Sequence, residues 1–157
     1  MIRMTIEEAE ADDRIIVFKA GNLHTLPVDE PPQVAIRRFY SWTQNYTTEI
    51  FGGRMGRPFF VEVWINDPSF TDAIEIDNYL KELDQSAGEH GRFEMDENGN
   101  FTEGQVIARE NCTFMGFKRK PFDGQRLPTP LVAVGTHNPN YGNMHICGEL
   151  HFFQLEV

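Results

Sequence analysis

The sequence predicts a mainly β (α+β) protein, a single-domain antiparallel β-sandwich or barrel with one inserted α-helix at about residues 70–87. Three observations lead there. Apolar and polar residues alternate with a period of two in several segments, the period of strands with one buried face. Gly-, Asn- and Pro-containing breaks separate these segments at short intervals. Only one stretch carries apolar residues at spacings of three and four, and no alternation of strands and helices, internal repeat or low-complexity tract occurs. A chain of 157 residues can bury a substantial core, and its thirteen phenylalanines supply bulky material for it.

Taken in order, residues 1–13 are acidic and read as a flexible arm, leaving 14–157 as the single β-rich domain. The run Ile15, Ile16, Val17, Phe18 reads as a buried strand over Arg14 to Ala20. Gly21 to Pro32 is a loop broken by Pro27, Pro31 and Pro32. In Val34 to Thr43, Ala35, Phe39, Trp42 and Tyr46 fit a helical stripe, but β-branched and aromatic residues favour a strand. Gly52 to Pro58 reads as a glycine-rich turn. From Phe59 to Asn66, Phe59, Val61, Val63 and Ile65 share one face, and Phe60, Glu62 and Trp64 the other.

The helix follows. Ser69 with Asp72 forms a capping-box pattern, Ala73, Ile76, Leu80, Leu83 and Ala87 line one face, and Gly88 suits the left-handed residue that ends a helix. Asn98-Gly99 predicts a type I′ turn joining Arg92–Glu97 to a strand that starts at Asn100. A long strand over Gln105 to Arg119 is expected to break or bend at Gly116, followed by a loop over Lys120 to Pro130, a strand over Leu131 to His137 and a turn over Asn138 to Asn143. The last strand, Met144 to Val157, places Ile146, Gly148, Leu150 and Phe152 on one face and His145, Cys147, Glu149 and His151 on the other. Beyond Phe152 the phase flips, which calls for a bulge near Phe152 and Phe153 or a strand passing between sheets.

Charge is uneven. The net charge of −10 resides between Glu62 and Glu103, where twelve acidic residues face only Lys81 and Arg92. Such a field repels phosphate backbones and argues against general nucleic-acid binding. No apolar run approaches a membrane span, and the acidic start lacks the apolar stretch of a signal peptide, so a soluble, cytoplasmic protein is expected; a virion or a dedicated export route would leave the same pattern. Two cysteines, Cys112 and Cys147, do not make a disulfide framework and read as free thiols.

The candidate chemistry sits on the polar face of the last strand. Residues two apart on a strand lie about 6.6 Å apart, so His145 and His151 are about 20 Å apart on a straight one. Only neighbouring pairs can meet at one metal ion: His145 with Cys147, or Glu149 with His151, with His137 the first candidate for a further ligand. His137, His145, Cys147, Glu149 and His151 therefore define a transition-metal alternative, while the expected cofactor is none. His145, Glu149 and His151 also define an acid–base alternative, since a histidine–carboxylate pair can tune a proton donor.

Arg54 and Arg57 among three glycines suggest an anion site, although no Gly-Lys-Ser/Thr is present and a strand follows. Asp96, Asn98 and Asn100 begin a calcium-loop pattern, but Phe101 stands where glycine is required and Ile107 where glutamate is required, so the hairpin is the better reading. Lys118, Arg119, Lys120 and Arg126 form the densest basic patch, expected as an opposite pole to the acidic helix and suited to head-to-tail contact with another copy or another protein. No nucleophile or dinucleotide motif occurs. Ring- and tube-forming proteins, among them phage-tail and secretion-tube components, combine β-barrels with a single helix. On that architectural analogy a non-enzymatic, self-associating assembly domain is expected, the alternative being a small-molecule enzyme or binder at the last strand.

Overall fold

A computed structural model describes residues 1–7, 12–20, 24–40, 47–65, 73–96, 99–120 and 146–155, with backbone alone at 34–40, 47–54 and 73. In chain order the elements are β1 (Ile2–Ile6), β2 (Arg14–Phe18), β3 (Val28–Asp29), β4 (Gln33–Tyr40), β5 (Thr47–Ile65), α1 (Ala73–Gln85), β6 (His90–Met95), β7 (Ile107–Lys120) and β8 (Ile146–Leu155). The strands form one sheet in the order β2-β1-β6-β7-β8-β5-β3, and β4 pairs with the first half of the long β5. Every pairing is antiparallel. This is the mainly β, antiparallel architecture with one helix that the sequence predicts. Among the described residues no helix is long and apolar enough to cross a membrane.

The sheet is strongly curled. β2 and β8 stand four strand positions apart, about 19 Å in a flat sheet. Yet the ring of Phe18 on β2 lies 5.9 Å from that of Phe152 on β8 and 5.1 Å from that of Phe114 on β7. Only a concave sheet brings them together. The chain leaving β2 then reaches the opposite edge, where His24 bridges to Val63 and β3 pairs with β5.

The concave face is the core. Phe59, Val61, Val63 and Ile65 of β5 alternate inward as predicted, opposite Phe152, Leu150, Gly148 and Ile146 of β8. Phe152 is the hub of an aromatic cluster, with ring centroids 5.0 Å from Phe93, 5.2 Å from Phe59 and 5.4 Å from Phe114. The helix completes the core with Leu83 and Tyr79, while Ile76 and Leu80 pack alongside. Tyr79 was absent from the predicted stripe although it sits three residues from Ile76 and four from Leu83, and its hydroxyl accepts a hydrogen bond from Lys19 N at 3.0 Å. Gly88 follows the helix with φ 97°, the left-handed conformation expected of it. The predicted Ser69–Asp72 cap lies outside the described residues.

Several expectations are corrected. Ile2 to Ile6 is not part of a flexible arm: Ile2, Met4 and Ile6 are buried with strand periodicity, and β1 pairs on both sides, with β2 and β6. Nor is β2 a buried strand; among the described residues it is an edge strand, with Phe18 inside and Ile15 and Val17 about half exposed at 50% and 49%. Gly52 to Pro58 is not a turn. It runs within β5, where β4 pairs past register shifts at Val34, because glycine also marks close strand approach. A Cβ at Gly56 would stand 2.5 Å from both Gln154 O and the Phe153 ring.

β6 and β7 do pair, but their connection is wide, and no strand starts at Asn100. Gly99 has the expected positive φ of 70°, and Phe101 also turns positive at 50°, held by a 2.7 Å bond from its N–H to Asp96 Oδ2. Val34 to Thr43 resolves as strand over its described part, β4. The predicted strand over Leu131–His137 and the turn after it lie outside the described residues.

Neither cysteine forms a disulfide, as expected. Cys112 is fully buried, and burial pushes its thiol up to about 11. We expect Cys112 to resist alkylation by iodoacetamide in the native protein at about pH 8 and to react fully once unfolded. Peptide mass spectrometry after timed labelling checks this, and rapid native labelling at Cys112 would contradict the packing.

Candidate functional site

The convex face of β5, β7 and β8 carries the polar groups. On β8, Cys147, Glu149 and His151 point outward together, and the described part of the strand shows no phase flip: it pairs with β5 in unbroken register from Ile146 to Leu155. Phe153 and Leu155 remain on the same face, with Leu155 exposed at 45%. The irregularity lies one strand away. Met115 of β7 bulges between the Phe114↔Phe152 and Gly116↔His151 pairs, and Gly116 supplies the positive φ of 122° beside it.

That bulge determines what the site contains. Before it, Cys112 and Phe114 face the core; after it, the alternation is reset so that Lys118 and Lys120 share the face of Glu149. Lys120 Nζ lies 2.9 Å from Glu149 Oε2, and His151 Nε2 lies 3.3 Å from Glu149 Oε1. The His151 ring packs against Phe60 of β5, with centroids 5.6 Å apart and the planes tilted by 30°. Glu149 is buried, which raises its pKa. Hydrogen bonds and charge from Lys120 and His151 outweigh that and hold the carboxyl below its ordinary range.

Next to the triad is a cavity of about 310 Å³ between the end of α1 and the bulge, bordered by Asp84, Ala87, Met115, Phe117, Lys118 and His151. Of its bordering groups, His151, Lys118 and the Asp84 carboxylate can orient a polar ligand, and His151 in turn contacts Glu149. The predicted Glu149–His151 pair is thus formed. Cys147 is on the same face but buried, and His137 and His145 lie outside the described residues. Among the described residues no three His, Cys, Asp or Glu side chains converge as metal ligands. The alternation of β8 points to Glu149 and His151, but Lys120 and Phe60 belong to the site only through strand register; Gly116 was the visible signal of the bulge.

The other candidates fare differently. Arg57 lies within β5 opposite Gln154, so no loop of free amides accompanies it, and Arg54 contributes only backbone to the description. Lys118 and Arg119 are exposed, whereas Lys120 is tied to Glu149, and Arg126 lies outside the described residues. Lys118 borders the same cavity as Asp84 of the acidic helix, so this end of the basic segment adjoins the acidic one and is not its opposite pole.

Glu149 makes an acid-stability prediction. Its depressed folded pKa stabilises the protein above the ordinary carboxylate value of 4.5, and that contribution is lost as pH falls through the folded value. Glu149→Gln should therefore be less stable than wild type at neutral pH, with the difference shrinking below about pH 4. Urea unfolding across that range measures it; an equal difference at every pH would remove the ion pair as its source.

No protein-family model matches this chain, and none of the curated proteins compared with it matches its sequence.

Proposed function

We propose that this protein is a non-enzymatic assembly domain that associates with further copies of itself. The observation that carries the reading is the β2 edge: among the described residues no strand pairs with β2 beyond β1, and its Ile15 and Val17 stand half exposed beside that edge. A strand edge offers backbone groups to another chain, and exposed β-branched residues favour its covering. The exposed Lys118 and Arg119 supply a second, charge-based contact for an acidic neighbour. Light scattering at low and high salt across a concentration series tests the reading: a concentration-dependent oligomer supports it, and a monomer throughout refutes it.

A second reading has one observation in its favour, the cavity bordered by His151 next to the Glu149–Lys120 pair. On it the chain binds a small polar molecule, with Glu149 and His151 as acid–base or ligand groups. Metal content measured on the light-scattering sample separates the two. A monomer with stoichiometric transition metal favours this reading and directs the search to Cys147, Glu149, His151, His137 and His145.

A further inference from the structure

We propose that the cavity between α1 and the β7 bulge binds a small zwitterion with an apolar side, such as a free α-amino acid. This rests on the small-molecule reading and names its class of ligand. A volume of about 310 Å³ lies at the lower end of the range for small-molecule sites, so the ligand is small.

The charges at the border set what its two ends must be. Asp84 and Lys118 both border the cavity, yet neither side chain has a hydrogen-bond or ion-pair partner among the described residues, and they do not reach each other. Lys118 stands opposite Glu149 in the β7–β8 register, but both oxygens of that carboxylate are taken, Oε2 by Lys120 and Oε1 by His151. The Lys118 ammonium is therefore left for an anion from outside. Asp84 lies in the last turn of α1, where the helix carbonyls carry partial negative charge and no basic side chain is present. A cation at this end satisfies the carboxylate and the helix dipole together. His151 adds an acceptor: the ionised Glu149 takes the Nε2–H of the neutral ring, which leaves Nδ1 with its lone pair.

Ala87, Met115 and Phe117 supply the apolar part of the border, and Met115, set off by the bulge, is 59% exposed. An ammonium for Asp84 and His151, a carboxylate for Lys118 and a hydrocarbon side for Met115 and Phe117 together match every group. A simple anion would set its charge against Asp84, and a simple cation would leave Lys118 unmatched.

The test titrates the full chain with L-leucine, with L-leucinamide, which lacks the carboxylate, and with N-acetyl-L-leucine, which lacks the ammonium, followed by NMR shifts at residues 84–87 and 115–118. Leucine is expected to bind at one site per chain, and each analogue at least about fivefold more weakly. Lys118→Gln is expected to bind leucine and leucinamide alike, and Asp84→Asn to narrow the gap between leucine and N-acetyl-leucine, because each variant lacks the partner of the group that the analogue lacks. Both side chains are exposed, and circular dichroism confirms that both variants fold. Equal binding of leucine and the two analogues overturns recognition of a zwitterion, and so does a discrimination that persists unchanged in both variants. Absence of leucine binding overturns the ligand class alone; the metal content of the same sample still decides the small-molecule reading, so the two failures are told apart.

Discussion

Replacing Phe152 with alanine is expected to destabilise the protein by about 3–5 kcal/mol, the largest effect of any single truncation in this core. Phe152 is fully buried and packs against four rings, those of Phe18, Phe59, Phe93 and Phe114, which come from four different strands. Truncation removes apolar surface and leaves a void that rigid aromatic neighbours fill poorly, so the transfer and cavity costs add. The loss also bears on shape, because the Phe18–Phe152 contact holds the edge strand over the middle of the sheet. Urea unfolding of wild type and Phe152→Ala gives the difference directly. A loss under about 1.5 kcal/mol would mean the cluster collapses around the gap and is not close-packed.

Gly91→Ala is expected to be the most damaging small substitution. Gly91 lies on β6, and a Cβ there would fall on the carbonyl of Thr5, with Thr5 C at 2.9 Å and Ile6 Cα at 3.1 Å. All three obstacles are backbone of β1, so no side-chain rotation relieves them. Overpacking of a core costs about 1–3 kcal/mol where side chains can adjust. Here a strand must move, and a loss at or above the top of that range is expected. Hydrogen exchange should show where it is felt: Ile2 to Ile6 should lose protection before β7 and β8 do. Equal protection in β1 of Gly91→Ala and wild type would show that the strands separate without cost.

Much of this fold was legible in the sequence wherever the pattern was local. Phe59 to Ile65 and Ile146 to Phe152 alternate in the sequence as they do in the sheet, and Ile76, Leu80 and Leu83 mark the buried face of α1. The misreadings share a cause: the same residues serve two structural roles, and only distant partners decide between them. Ile2, Met4 and Ile6 alternate too, but the surrounding acidic residues resemble a solvated arm until β2 and β6 are in place. Gly52, Gly53 and Gly56 suit a turn as well as a close strand approach, and the ring of Phe153 settles the matter at Gly56. The phase change assigned to β8 belongs to β7, since a flip in apolar pattern does not reveal which of two neighbouring strands absorbs it. For the same reason Glu149 and His151 were identifiable as neighbours, while Lys120 and Phe60 became visible only through pairing across strands.

The position of β1 also sets a schedule. Ile2 pairs with Met95 and Thr5 with Arg92, so a strand near the start of the chain has half of its partners roughly ninety residues later. At about 5–20 residues per second of synthesis, β1 waits on the order of 5–20 seconds for β6 to emerge. During that interval β2 is, among the described strands, the one partner of β1 already made, and Ile2, Met4 and Phe18 lack the part of their core that Phe93, Phe114 and Phe152 supply. The nascent chain thus carries an adhesive apolar hairpin through much of its own translation. Its yield in a cell should depend on elongation speed and on chaperone holding of that hairpin more than on the stability of the finished protein.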